Sequence, residues 1–409
     1  MVKEFISSST LDESEVKDIL FKKIKEEQAL ANELENDTSI VEKVTLKPNK
    51  FNVVSLFSGA GGLDLGLELA GIDAIKGRNF TDEIYKTKKT YFNNRSESLF
   101  NIVYSNDMFK EANETYLNNF LSSVVKDAQD IRKVANFPKA QIMIGGFPCP
   151  GFSSAGPRLI DDPRNFLYIH FIRALTQHEP EFFIAENVKG LMTLAKGTVF
   201  KQVKEDFASA GYDVQAFLVN SRDYGVPQLR ERVILVGSHV EKIVKPYGYT
   251  FKAPEHTHGP KLIPYVTLKD AIGDLPKNPE DVYEGGFSSM YMSRNRKKSW
   301  NDQSFTIQAS GRQAPMWPGG SPMKKIDKNS WIFTGDSNLN RRISVKEAAR
   351  IQTFPDWWIF SDGGNKNSTK NNRLNLQYKQ IGNAVPVNLA RNFLKPIADF
   401  LSEHPELSE

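Results

Sequence analysis

One cysteine occurs in the 409 residues, Cys149, within Gly145-Gly-Phe-Pro-Cys-Pro-Gly-Phe-Ser-Ser. A thiol braced by two prolines after a glycine pair is presented stiffly, as a nucleophile requires, rather than buried as a small apolar group. Ile184-Ala-Glu-Asn-Val sets Glu186 at the end of an apolar run, a carboxylate able to hydrogen-bond or move a proton. Tyr224-Gly-Val-Pro-Gln-Leu-Arg-Glu-Arg-Val carries Gln228, Arg230 and Arg232 at alternate positions, which predicts one shared strand face. Phe57-Ser-Gly-Ala-Gly-Gly follows another apolar run and lets a backbone approach a ligand beside a helix N-terminus. The strict dinucleotide pattern would need glycine at 59, 61 and 64; the last is Asp64, which argues against a nicotinamide cofactor. A single cysteine excludes an intramolecular disulfide and a cysteine-rich zinc site, and His256 and His258 read as a loop, so no metal is expected.

The elements that must position these groups read as a doubly wound, mostly parallel α/β sheet. Phe51–Leu56 is a strand, and an amphipathic helix through Leu63, Leu67 and Leu69 follows the glycine turn. Further strands are expected at Asn101–Tyr104, Gln141–Ile144, Phe182–Ala185, Val214–Leu218 and Val233–Val236. The strand endings then place Cys149 and Glu186 at the carboxyl edge of the sheet, where ligands bind in open α/β folds. Ile72–Lys76 reads as the second strand, which makes Asp82 or Glu83 the acid for a ribose hydroxyl pair. Asp107, after the next strand, is a candidate acceptor for an adenine amino group. Phe109–Lys139 reads as a helical insertion.

Residues 10–36 have the pattern of a charged amphipathic helix, with Thr10 and Glu13 at capping-box spacing and Val16, Leu20, Ile24 and Ala31 near one face. Beyond Gly237, proline, glycine and polar residues dominate to about Thr334, and helix-like patterns return at Arg342–Arg350 and Pro386–Leu401. The expected organisation is an N-terminal extension (1–45), a catalytic domain (46–250 with 376–409) and a smaller irregular domain (251–375) interrupting it. Net charge is +4, and basic residues outnumber acidic ones from Arg294 to Arg350, with Trp300, Phe305, Trp317 and Trp331 interleaved. Such a stretch suits a phosphate backbone. Met1–Leu20 is rich in acids and lysines, and no apolar run is long enough to span a membrane. A soluble, cytoplasmic chain with no membrane partner is expected.

Taken in order, the glycine turn, Pro148-Cys149, Glu186-Asn187-Val188, Gln228-x-Arg230-x-Arg232 and Gly382-Asn-Ala-Val-Pro386 resemble the bacterial DNA cytosine-5 methyltransferases of restriction–modification systems. The resemblance runs from about Phe51 to the C-terminus. It implies the S-adenosylmethionine-dependent methyltransferase fold, duplex DNA as substrate, and methylation of a flipped-out cytosine through a covalent adduct of Cys149. Glu186, Arg232 and Arg230 would serve catalysis. Phe57, Gly59, Gly61, Asp107, Pro148, Asn383 and either Asp82 or Glu83 would hold the cofactor. The stretch Ser293-Arg-Asn-Arg with Phe305-Thr-Ile-Gln-Ala-Ser-Gly-Arg-Gln is similar to the target-recognition region of GGCC-type members, so Arg294, Arg296, Arg312 and Gln313 would contact DNA. A nucleoid-associated monomer, with a cognate endonuclease acting on the same site, would follow. Pro150 departs from the family pattern, in which many members carry glutamine after the cysteine.

Two other classes share parts of this pattern. An RNA cytosine-5 methyltransferase would use the same motifs, but the hundred-odd residues between Gly237 and Arg342 suit sequence-specific reading of a duplex. A non-catalytic DNA-binding regulator would have no need of Cys149, Glu186 and Arg232 together.

Overall fold

The computed structural model describes residues 13–35, 39–148 and 167–409. Thr10, Cys149 and Pro150 lie outside these residues, and with them the capping box and the thiol itself. Seven strands form one sheet: β1 (Phe51–Leu56), β2 (Phe100–Asn106), β3 (Val125–Asp127), β4 (Ile142–Gly145), β5 (Phe182–Val188), β6 (Tyr212–Asn220) and β7 (Glu231–His239). Their order is β3-β2-β1-β4-β5-β7-β6, with β1 to β5 parallel and β7 antiparallel to both of its neighbours. Every residue of β1 is buried, because helices cover both faces of the sheet. Pleating divides its side chains: Val53 joins the apolar cluster on one face, Val54 and Leu56 the cluster on the other.

The longer helices, in chain order, are α1 (Glu13–Leu34), α2 (Gly62–Lys76), α3 (Arg78–Ile84), α4 (Lys88–Asn94), α5 (Lys110–Asn119), α6 (Tyr168–His178), α7 (Thr198–Ser209), α8 (Val345–Ile351), α9 (Lys370–Asn383), α10 (Val387–Phe393) and α11 (Lys395–Glu403). Helices α2, α10 and α11 cover one face, and α1, α6 and α7 the other. Contact between α2 and α10 depends on Gly66, where a Cβ would stand 2.3 Å from that of Ala390. Helix α1 buries Val16, Leu20, Ile24 and Ala31, the stripe read from the sequence, and packs on the core through Leu20 and Ile24.

Two expectations are corrected. Ile72–Lys76 is the end of α2, because Leu65, Leu69 and Ile72 continue a helical stripe and are all fully buried. The second strand is therefore β2. The connection from β1 to β2 carries α3 and α4 in addition to α2, whereas Phe109–Lys139 contains a single helix, α5, and the sheet strand β3.

Residues 251–375 form loops, short turns, α8 and a hairpin of β8 (Met323–Asp327) and β9 (Ser330–Phe333). Phe251, Ile307, Ala314, Ile343 and Phe354 belong to the same apolar cluster as α2 and α10, so this stretch packs continuously on the sheet. Helix α8 begins at Val345, after the Arg341-Arg342 pair. Ser344 caps it: its Oγ accepts from Glu347 N at 3.1 Å, and Glu347 Oε2 accepts from Ser344 N at 2.6 Å.

Candidate active site

Strand β1 ends in a sharp turn where Phe57 has φ 53°, a left-handed conformation that a bulky residue holds only when its surroundings impose it. Gly61 turns with φ 80° just before α2, and a Cβ there would lie 2.4 Å from Phe120 Cε2. The turn opens onto a cavity of about 300 Å³ at the carboxyl ends of β1, β2, β4 and β5, the size of a small-molecule site. Phe57 and Gly59 line it from β1, Asp107 from β2, Asp130 and Ile131 from beyond β3, Gly146 and Pro148 from beyond β4, and Glu186 from β5. Lys379 and Asn383 of α9 close it from above. Gly61 is not in the lining; it shapes the turn that is.

Asp107 is nearly buried, and its two oxygens accept from Gly59 N at 2.9 Å and Phe109 N at 2.8 Å. Burial raises its carboxyl above the ordinary range, while those two backbone donors pull the other way. On the same floor Asp64 accepts from Tyr116 Oη at 2.8 Å with one oxygen and leaves Oδ2 without a partner. Complete burial pushes this carboxyl up to about 6. Beneath it Lys126 Nζ sits 3.7 Å from the centre of the Tyr116 ring, and burial brings that ammonium down to about 7. An unfilled acceptor, an acid at a strand end and a glycine turn make a site suited to a polar, cationic nucleoside such as S-adenosylmethionine.

Where β5 meets the cavity, Arg232 Nε stands 2.9 Å from Glu186 Oε1 as an ion pair. At this separation the Arg232 guanidinium sits directly against the Glu186 carboxylate, and both side chains are nearly buried. A Cβ on Gly146 would lie 3.3 Å from Glu186 Oε2, so this carboxylate faces the loop that runs on to Cys149. Asn187 Nδ2 donates to Phe147 O at 2.9 Å and anchors that loop to β5. Sequence reasoning noted Asn187 only as part of its motif, although its place next to Glu186 was the available signal.

Other expected site residues are placed elsewhere. Asp82 and Glu83 lie on α3, outside the cavity lining; Asp82 pairs with Arg391 at 2.6 Å and Glu83 with Lys86 at 2.5 Å. The strand that would have carried them to the site is the end of α2. Strand β7 begins only at Glu231, so Gln228, Arg230 and Arg232 do not share one strand face. Arg230 is fully buried and donates to Gly382 O at 2.8 Å and Ala384 O at 3.0 Å, a brace for the turn that carries Asn383. Gln228 Nε2 adds a bond of 2.8 Å to Gln352 Oε1, and Gln352 Nε2 reaches Ile381 O at 2.6 Å. Asp130 was missed in the sequence because β3 is three residues long and was taken into a supposed helical insertion.

Among the residues expected to meet DNA, Arg294 and Arg312 are exposed. Arg296 is buried: Nε donates to Tyr291 O at 3.1 Å and Nη2 to Gln313 Oε1 at 2.7 Å. Arg296 and Gln313 thus hold each other. No group of three or more potential metal ligands occurs among the described residues, and no described helix is long and apolar enough to cross a membrane.

Comparison with known proteins agrees with this geometry. Residues 51–399 match the family model of C-5 cytosine-specific DNA methylases. The chain is 56% identical to the type II methyltransferase M.BsuRI of Bacillus subtilis, over 96% of this chain and 90% of that protein. It is 55% identical to M.BspRI of Lysinibacillus sphaericus, over 98% of this chain and 94% of that protein. In fold it is similar to the crystal structure of a Spodoptera frugiperda DNMT2 mutant, with TM-score 0.52 and 18% identity, over 85% of this chain and 99% of that one. The chain belongs to the C-5 cytosine-specific DNA methylases, and it methylates carbon 5 of cytosine in DNA with S-adenosylmethionine as cofactor.

Proposed function

We propose that the chain is the protecting methylase of a restriction–modification system and works through a covalent adduct of Cys149 with a cytosine flipped out of duplex DNA. The observation that carries this reading is the Glu186–Arg232 pair, held 2.9 Å apart at the rim of the cavity into which Phe57, Asp107, Pro148 and Asn383 open. Carbon 5 of cytosine is a weak nucleophile. The Cys149 thiolate adds to carbon 6, a C–S bond forms, and the electrons of the 5,6 double bond make carbon 5 nucleophilic. Glu186 holds the proton at N3, and Arg232 neutralises charge gathering on the carbonyl oxygen of carbon 2. When bound, the cofactor supplies an electrophilic methyl group. Loss of the carbon 5 proton to a base then expels the Cys149 thiolate and restores the double bond. Flipping costs a few kcal/mol, which phosphate contacts offset.

For the cofactor, Asp107 is the ribose acid in this proposal, and Asp130 with Ile131 forms the adenine wall. Both acids follow the two strands next after β1, and both line the cavity, as Asp82 and Glu83 do not. The 251–375 region is the target reader, with Arg294 and Arg312 toward a GGCC site. The enzyme acts as a monomer on the nucleoid, beside an endonuclease of the same specificity.

Tritiated S-adenosylmethionine given with duplex DNA, with RNA and with Cys149→Ala tests the chemistry. Label is expected in duplex DNA alone and not with the variant; transfer by Cys149→Ala, or to RNA only, overturns it. A duplex carrying 5-fluorocytosine is expected to trap the protein covalently. Bisulfite sequencing of plasmid from expressing cells tests the site: protection at GGCC supports the reader assignment, and protection elsewhere removes it.

A further inference from the structure

The segment 130–135 supplies Asp130 and Ile131 to the cavity, yet it has little structure of its own. A single 3-10 turn, Ile131–Lys133, holds it, with Lys133 N donating to Asp130 O at 2.8 Å and Val134 N to Ile131 O at 3.3 Å. Arg132 N donates to Asp130 Oδ1 at 3.1 Å within the turn, and the carbonyls of Ile131 and Val134 with both backbone groups of Ala135 are met by side chains from α6, α1 and the residue that follows α1. Arg173 of α6 is completely buried and sends Nη2 to Ile131 O at 3.0 Å and to Val134 O at 2.6 Å. Its Nη1 donates to Gln28 Oε1 of α1 at 3.1 Å, and so does Gln177 Nε2 at 3.0 Å. Both backbone groups of Ala135 are held in the same way. Its carbonyl accepts from Gln28 Nε2 at 3.0 Å and Gln177 Nε2 at 2.7 Å, and its N–H donates to Glu35 Oε1 at 3.1 Å, just beyond the end of α1. Leu20 and Ile24 of α1 belong to the same apolar cluster as Ile131, Val134 and Phe137. Helix α1 lies before residue 51, where the family match begins.

We propose that α1 is a positioning element for the cofactor site, with Gln28 and Glu35 fixing, directly and through Arg173, the 130–135 wall against which the nucleoside of S-adenosylmethionine rests. Buried backbone groups must be paired, and a wall that lacks its partners samples conformations in which Asp130 and Ile131 no longer face the cavity. Binding then carries the cost of ordering the wall, and this cost falls on cofactor affinity and not on the methyl-transfer step. The inference rests on the assignment of Asp107, Asp130 and Ile131 to the cofactor.

The test is the full-length double variant Gln28→Ala/Glu35→Ala, with the exposed pair Lys25→Ala/Glu26→Ala on the same helix as control. Titration calorimetry with S-adenosylhomocysteine is expected to show affinity weakened about tenfold, the net effect of losing the two hydrogen bonds that Gln28 and Glu35 make to the backbone of Ala135. Hydrogen exchange of the 131–135 amides rises, KM for the cofactor follows the affinity, and both kcat and KM for DNA stay at the parent values. Glu35→Gln, which keeps the acceptor for Ala135 N–H, recovers most of its share. Unchanged affinity and exchange, or a fall in kcat with affinity intact, overturns the role of α1. Asp107→Ala separates the two readings. If it weakens binding and the double variant does not, only the role of α1 fails; if neither weakens binding, the cofactor assignment fails with it.

Discussion

The cavity edge of the sheet and the 251–375 stretch solve the same problem by different means. At the edge, the backbone does the positioning. Strands β1, β2 and β4 end in register, β5 leaves its ladder with β4 at Ala185, and the glycine turn, Asp107 and Glu186 follow directly. In the irregular stretch few ladders exist, and cationic side chains supply the donors instead. Arg342 gives three hydrogen bonds to the carbonyls of Gly285, Gly286 and Arg312. Arg296 and Lys297 serve loop carbonyls in the same way, and Arg341 pairs with Glu347 at 2.7 Å while lying over Trp317. A chain that gives up regular secondary structure must satisfy its backbone with long side chains. Basic residues that look destined for phosphate are then consumed in making the scaffold.

Four changes test this contrast, the largest effect first. Glu186→Ala should reduce kcat by about a thousandfold or more, because it removes a group proposed to act on the base and strands a nearly buried Arg232; single-turnover kinetics measures it. A large loss of cofactor affinity in place of kcat would move Glu186 from the chemistry to the wall. Arg342→Ala should lower stability by about 3 kcal/mol, because three carbonyls lose their donor in a buried site. Denaturant unfolding decides this. A stable variant with weakened DNA binding would return Arg342 to the interface and undo the contrast.

The third is a pH effect on the floor of the cavity. Burial raises Asp64 to about 6, so the folded chain holds this proton more tightly than the unfolded chain does. The group's contribution to stability is complete below the ordinary aspartate range and is lost as pH rises through 6. Relative to Asp64→Asn, the parent should lose about 2 kcal/mol between pH 4 and pH 6.5 and change little above it. A flat difference across that window refutes the assignment. The smallest effect is expected from the hairpin, whose Lys324, Lys325 and Lys328 are exposed. Replacing all three by alanine should leave the unfolding midpoint in place, weaken DNA binding severalfold and flatten its salt dependence.

How much of this could be read from residues alone follows the same division. Apolar runs marked β1, β2, β4, β5, β6 and β7, because strands buried on both faces are nearly continuous in hydrophobicity. The stripe of α1 was equally plain. Ile72–Lys76 was misread because a short apolar run fits a strand and a helix end equally well, and burial alone separates them. That one choice displaced the ribose acid to Asp82 or Glu83 and made an insertion of α5 and β3. Arg230 and Arg296 were misassigned for another reason: a sequence states that a residue is charged but not whether a carbonyl awaits it. Gln352, which ties the Asn383 turn in place, carried no signal beyond its position before Thr-Phe-Pro.

The close seating of α10 on α2 through Gly66 also bears on how the molecule is made. Arg391 of α10 bonds Asp73 of α2 at 2.7 Å, and Gln141, beside β4, donates to the carbonyl of Ser408. Partners more than 250 residues apart must meet before the first helix of the sheet is covered on its outer side. The apolar back of α2 therefore stays bare until α10 is made and seated on it. Contacts so far apart in the chain give the topology a high contact order, which slows folding and exposes the incomplete core to aggregation. A variant without α10 and α11 is expected to lose stability rather than to act as a weak enzyme.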